Sequence, residues 1–219
     1  MSGMVAHASS SGTGPTVGFD LDMTLIDSRP GIHATWRRLA EETGVDIDAD
    51  LVVTRLGPPL VQEMAHWFPA EEIPAMAERY RRLYPDHAIE PTTAMPGARA
   101  ALEAVHAAGG RTLVVTAKYR PSAALHLEHL GLCPDVLVGD LWAEGKAEAL
   151  TAHGASAYVG DHVGDVRGAR MAGAVSVAVA TGPCGVAELT AEGADVVLPD
   201  LAGFPSWLDA FAGDGRTAA

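Results

Sequence analysis

Two aspartates one residue apart, in Phe19-Asp20-Leu21-Asp22-Met23-Thr24, and two more in Gly160-Asp161-His162-Val163-Gly164-Asp165 have the types and spacing that chemistry requires. Each pair follows a short apolar run that reads as a β-strand, so four carboxylates converge from two strand ends. Such a group repels itself unless a cation offsets it, and an all-oxygen ligand set favours Mg²⁺ over zinc or copper. A magnesium site is the expectation. Of Asp20 and Asp22, one can act as nucleophile while the other moves protons, provided that their surroundings differ. A carboxylate nucleophile implies an acyl-phosphate or ester intermediate. Any one of these aspartates could simply form the turn after a strand; it is the set of four that points to a reaction. Lysine usage adds to it. Of 15 basic residues only Lys118 and Lys146 are lysine. Lys118 follows a strand end in Thr116-Ala117-Lys118, and Lys146 opens a helix, where an ammonium can reach a phosphoryl oxygen. Thr116 adds a hydroxyl donor.

Positioning these groups requires strands that end side by side. Short runs rich in Val, Leu and Ala recur at Thr16–Phe19, Thr112–Val115, Val136–Val138, Ala157–Val159, Val175–Ala180 and Asp195–Leu198. Between them, helical spacing at Gly97–Ala108, Pro121–Leu130, Glu144–His153, Asp165–Ala172 and Gly185–Ala191 predicts the alternation of a parallel α/β sheet. Ligands of such sheets bind beyond the carboxyl ends of the strands, where the polar residues above fall. One stretch breaks the alternation. From Arg29 to Pro96 the pattern gives helices at Gly31–Thr43, Ala49–Arg55, Pro59–Trp67 and Ala70–Leu83 but no parallel strand, with Pro85, Pro91 and Pro96 marking a return path. The expected organisation is a Rossmann-like core over residues 16–28 and 97–212, an inserted helical domain over 29–96, and flexible tails at 1–15 and 213–219.

Composition bounds the function. Apolar residues make up 48% of the 219 and charged residues 20%, the balance of a folded globular chain. The net charge of −13 opposes binding to nucleic acid or to an anionic membrane, and no apolar run reaches the ~18 residues of a membrane span. Cys133 and Cys184 match neither a redox nor a zinc motif, and the first residues do not read as a secretory signal, so a cytoplasmic setting is expected. His126 and His129 share a helix face read as solvent-exposed. Trp36, Trp67 and Phe68 read as packing residues.

These motifs resemble, in order, those of the haloacid dehalogenase superfamily, and specifically its phosphoglycolate phosphatase-like members with an inserted helical cap. Phe19 to Ser28 is similar to the first motif, Thr116 to the second, Lys146 to the third and Gly160 to Asp165 to the fourth. The resemblance implies a Mg²⁺-dependent phosphatase. Asp20 would attack phosphorus, and Asp22 would protonate the leaving alcohol and then activate water. Thr116 and Lys146 would bind phosphoryl oxygens. Asp20, the carbonyl of Asp22, and Asp161 would hold the metal, with Asp165 supporting the metal shell or orienting Lys146. Lys118, which stands where relatives often have a lysine, competes for part of the role of Lys146. Met23 replaces a common glycine, and the proline that often follows the third-motif lysine is missing.

The partner so implied is a small-molecule phosphate ester, with monomer and homodimer both open and phosphoglycolate a family-level suggestion. Arg55 and the loop Gly57-Pro58-Pro59 are expected to face the core and influence substrate choice, with hinges near Asp27–Pro30 and Ala94–Gly97. A sugar phosphomutase is the nearest alternative on the same core, although Thr54 to Pro59 lacks a lysine-bearing motif; a non-enzymatic phosphoaccepting module is the alternative from another class. A Schiff-base hydrolase fails for want of any lysine between Arg29 and Pro96. Dehalogenation fits poorly because Asp22 is present.

Overall fold

The computed structural model describes residues 14 to 213. The expected N-terminal tail through residue 13 and C-terminal tail from residue 214 lie outside the described residues. Six strands, β1 (Thr16–Phe19), β4 (Arg111–Val115), β5 (Val136–Val138), β6 (Ala157–Gly160), β7 (Val175–Val179) and β8 (Val196–Leu198), form one sheet in the order β5-β4-β1-β6-β7-β8. Every pairing in it is parallel. The central strands are buried along almost their whole length, as a sheet covered by helices on both faces demands. Chain order runs outward from β1 to β5 and then crosses to β6 on the other side, so the strand order reverses between β1 and β6. That switch point opens a crevice at the carboxyl ends of both strands. The covering helices are α5 (Ala98–Ala107), α6 (Arg120–Leu130), α7 (Glu144–Ala152), α8 (Val163–Met171), α9 (Val186–Glu192) and α10 (Phe204–Gly213).

A two-stranded antiparallel ribbon, β2 (Ile26–Asp27) with β3 (Thr93–Ala94), carries the chain out of this core and back. Between its strands lie α1 (Arg29–Thr43), α2 (Ala49–Val53), α3 (Leu60–Met64) and α4 (Ile73–Ala88). Trp36, Leu39, Met64, Phe68, Tyr80 and Tyr84 are buried together there, in a cluster that shares no residue with the cluster under the sheet. α1 and α4 pack as its long pair. α1 stops at Gly44, whose left-handed φ of 71° lets its N–H close on the carbonyl of Ala40.

Two expectations need correction, and one helix went unread. α4 does not stop before Pro85 but runs through it to Ala88. A proline inside a helix removes one hydrogen bond at a cost of about 3 kcal/mol, and Tyr84 and Ala88, buried on either side of it, show what outweighs that cost. His126 is not on an exposed face: it is fully buried, with its Nε2 2.9 Å from the Tyr84 hydroxyl of α4, while His129 is exposed. The helix α10, absent from the sequence reading, buries Phe204, Leu208 and Phe211, with Phe204 against Phe19 at 5.3 Å between rings.

Candidate active site

The backbone leaving β1 is pinned before it turns. The Asp20 N–H donates to the Val159 carbonyl at 2.8 Å, and the N–H groups of Leu25 and Ile26 close back on Leu21. Met23 sits in this turn with φ of 62°, a left-handed conformation that explains why glycine is the usual occupant. Its side chain is buried, and its carbonyl accepts a hydrogen bond from the Thr181 hydroxyl at 2.6 Å. Burial of the thioether and this anchor offset the strain.

Asp20, Asp161 and Asp165 come together in the crevice between β1 and β6, each buried, with one oxygen of each within 4.8 Å of the others. Thr24 donates to Asp161 Oδ1 at 2.9 Å. Asp165 is fully committed to protein: Oδ2 accepts from the His162 N–H at 3.1 Å in a capping box that starts α8, and Oδ1 accepts from Lys146 Nζ at 2.7 Å. Lys146 Nζ also lies 3.0 Å from Asp20 Oδ1, yet that oxygen is buried without a hydrogen-bond partner. Two glycines make room. A side-chain carbon at Gly160 would meet Asp165 at 2.4 Å, and one at Gly182 would meet Asp161 Oδ2 at 1.7 Å.

Three carboxylates face one ammonium, and the charge shows in the titration of Asp20 and Asp161. Burial, then the repulsion of Asp165 and Asp22, outweighs Lys146 and raises Asp20 to about 7. Burial and the neighbouring Asp165 and Asp20 likewise push Asp161 well above the usual carboxylate range. Lys146 stays charged because Asp165 and Asp20 override the effect of its burial. A divalent cation held by these carboxylates would supply the missing positive charge, and the all-oxygen donor set suits a hard ion.

Asp22 is turned away from that cluster. Its carboxylate takes Lys118 Nζ at 2.8 and 3.1 Å and the Ser28 hydroxyl, and Lys118 also lies over the Tyr84 ring at 4.8 Å. Burial alone raises Asp22, but the charge and hydrogen bonds of Lys118, then Ser28, hold it below its usual value. Thr116 is buried at the end of β4, where its Oγ1 accepts the Lys118 N–H at 3.2 Å. A cavity of about 180 Å³ opens over Asp20, Asp22, Thr116 and Lys118 and is roofed by the helical segment.

Arg55 is on that roof, across the cavity from the aspartates. Its guanidinium holds Glu63 through Nε at 3.1 Å and through Nη2, and lies 5.9 Å from the centre of the Trp67 ring. Gly57 faces the core as expected: a side-chain carbon there would meet the His162 ring at 2.8 Å. Trp36 packs in the helical cluster and also lines the cavity. Thr24 and Ser28 were not singled out from the sequence, although both stand in the stretch that carries Asp20 and Asp22. Tyr158, whose hydroxyl donates to the Val115 carbonyl at 2.7 Å and whose ring lies 5.5 Å from Lys146 Nζ, gave no signal beyond a strand residue.

Comparison with known proteins agrees with this architecture. The family model of haloacid dehalogenase-like hydrolases matches residues 17–170. Phosphoglycolate phosphatase of Chromobacterium violaceum is 29% identical over 209 residues, covering 85% of this chain and 92% of that one. Tyrosine-protein kinase PtkA of Mycobacterium tuberculosis is 30% identical over 191 residues, covering 80% of this chain and 66% of that protein, so the chain spans just under two thirds of its length. The crystal structure of a predicted phosphatase from Clostridium acetobutylicum superposes with a TM-score of 0.78 at 23% identity, covering 90% of this chain and 99% of that one. With a strand order that reverses above paired aspartates and a family model spanning most of its length, this chain belongs to the haloacid dehalogenase-like hydrolases.

Proposed function

We propose that the chain is a Mg²⁺-dependent phosphatase of small phosphate monoesters that works through an aspartyl-phosphate intermediate. The observation that carries this reading is the placement of Asp20, a buried carboxylate beside Lys146 and Asp161, on the floor of a cavity that Asp22 also lines. When bound by Asp20 and Asp161, the metal ion neutralises phosphoryl charge and keeps Asp20 ionised. Asp20 then attacks phosphorus, the ester P–O bond breaks, and the departing alkoxide takes a proton from Asp22. Water next attacks the phosphorus of the acyl phosphate, Asp22 accepts its proton, and inorganic phosphate leaves as Asp20 is restored. Lys146 and the Thr116 hydroxyl hold phosphoryl oxygens. Asp165, with both oxygens engaged, serves to orient Lys146.

In this scheme Lys118 is shared between the Asp22 carboxylate and the incoming phosphoryl group. Transfer of its hydrogen bonds to the phosphoryl group releases Asp22 toward its protonated form, as a general acid requires. The helical segment acts as a cap that excludes water, hinged at the β2–β3 ribbon. The test is inorganic phosphate release from simple monoesters with and without Mg²⁺. The expected result is metal-dependent turnover that falls at least ~1000-fold in Asp20→Asn. Equal turnover in the variant, or transfer of the phosphoryl group to a second alcohol without release of inorganic phosphate, would overturn the reading.

A further inference from the structure

The roof of the cavity is unusually apolar for a site that handles a phosphate. Ile32, Trp36, Val52, Leu56, Tyr80 and Tyr84 line it, three aromatic rings and three aliphatic side chains. Its volume of about 180 Å³ exceeds the ~150 Å³ that holds a benzene ring in an apolar protein cavity. The cations on its wall are already engaged. Arg55 is clamped by Glu63, and Lys118 by Asp22 at the cavity floor. Arg81 differs: among the described residues it has no carboxylate partner, its guanidinium lies over the Tyr119 ring at 4.8 Å, and its Nε is buried without a hydrogen-bond partner.

A two-carbon hydroxy acid matches this wall badly. Its carboxylate would have to draw Arg55 from Glu63, or take Arg81 and leave the apolar wall uncovered, in a space that Glu63, Asp22 and Asp140 already make negative. It would also leave the rings facing water. An apolar alcohol of ring size fills the space, releases weakly held water from the aromatic wall, and leaves the Arg55–Glu63 pair intact while Lys118 turns to the phosphoryl group.

Resting on the phosphatase reading, we propose that the substrate is a phosphate monoester whose alcohol portion is an apolar body at least the size of a six-membered ring, carrying at its far end an acceptor that pairs with Arg81. Arg81 and the aromatic roof set specificity; the reaction itself is left to the core.

The experiment compares ethyl phosphate, phosphoglycolate, benzyl phosphate and 4-carboxybenzyl phosphate with the full chain and Mg²⁺. All four release an alkyl alcohol, so differences report recognition more than leaving-group chemistry. The expected kcat/KM for benzyl phosphate exceeds that for ethyl phosphate and for phosphoglycolate by ~10-fold or more, and the carboxylate adds roughly another 10-fold. In Leu56→Asn, a change at a half-buried wall position, the benzyl-to-ethyl ratio falls ~10-fold; in Arg81→Gln the carboxybenzyl-to-benzyl ratio falls to about one. Phosphoglycolate turned over as well as benzyl phosphate would overturn the inference and leave the phosphatase reading standing. Absence of turnover for all four would sink the phosphatase reading instead, and calorimetric binding then decides the inference. Benzylphosphonate binding more tightly than phosphonoacetate supports it, and the reverse order overturns it.

Discussion

Asp20 and Asp22 stand two residues apart and titrate in opposite directions, because Asp20 is buried among carboxylates while Asp22 is buried against an ammonium and a hydroxyl. Without ligands, the directions are the reverse of what the proposed reaction needs: the nucleophile is raised and the acid is lowered. In the proposed reaction a cation beside Asp20 and a phosphoryl group competing for Lys118 would each correct one of the two, so the site would become reactive only when both are bound. Lys118→Met tests the second half. Loss of the ammonium leaves burial opposed by Ser28 and His126 without their strongest ally, so the Asp22 carboxyl titrates upward from its wild-type position in a carbon-detected NMR titration. Monoester turnover falls roughly 10-fold or more in the same variant. An Asp22 titration unmoved by this change would show that its ionisation does not depend on the pair.

The joint between the helical segment and the core is made by α4 and α6, where Tyr84 meets His126. Burial and the nearby Lys118 depress His126 to about 3, so it is neutral and its Nδ1 already lacks a partner. Tyr84→Phe removes its one remaining hydrogen bond and strands a second buried ring nitrogen. The expected loss is about 1–3 kcal/mol, read from the urea midpoint, with the aromatic face under Lys118 retained. At this scale the sequence was most readable where one element alone carries the pattern. Strands of the main sheet announced themselves by continuous apolar runs, and the aspartates by their place just beyond them. What escaped depended on partners distant in the chain. The burial of His126 is decided by α4 docking on α6, and nothing in the letters around residue 126 contains that. Pro85 read as a terminator because local propensity counts the lost hydrogen bond and not the packing of Tyr84 and Ala88. The pairing of Lys118 with Asp22 spans 96 residues. The β2–β3 ribbon has two residues per strand, too few for any periodicity. By contrast, Phe204, Leu208 and Phe211 lie at helical spacing, so α10 was readable and was missed.

For the whole molecule, the buried carboxylates couple stability to cation and proton together. Asp20 is raised to about 7 in the fold against an ordinary 3.8, so without a cation its contribution favours the fold at acid pH and is lost as pH rises through about 7. His126, depressed to about 3, works in the opposite sense between about 3 and 6.5, which masks the trend in the metal-free protein. The difference between Mg²⁺-loaded and chelated protein removes that mask. The rise in melting temperature on adding Mg²⁺ is expected to be larger at pH 8 than at pH 5, where protons compete for Asp20 and Asp161, and to depend less on pH in Asp20→Asn, where Asp161 alone of the two still titrates. An increment independent of pH in the wild type would place the cation elsewhere. No helix among the described residues is long and apolar enough to cross a membrane.

The ribbon has a consequence for how such a molecule can change over generations. Both crossings between core and helical segment pass through Ile26–Asp27 and Thr93–Ala94, which are paired neighbours, so the segment's two ends are about 5 Å apart. The apolar clusters on either side share no residue. A segment of another length or shape can therefore be spliced in at the same two points without moving a strand of the main sheet. New selectivity can be acquired as a cassette, while the aspartates beyond β1 and β6 stay where they are.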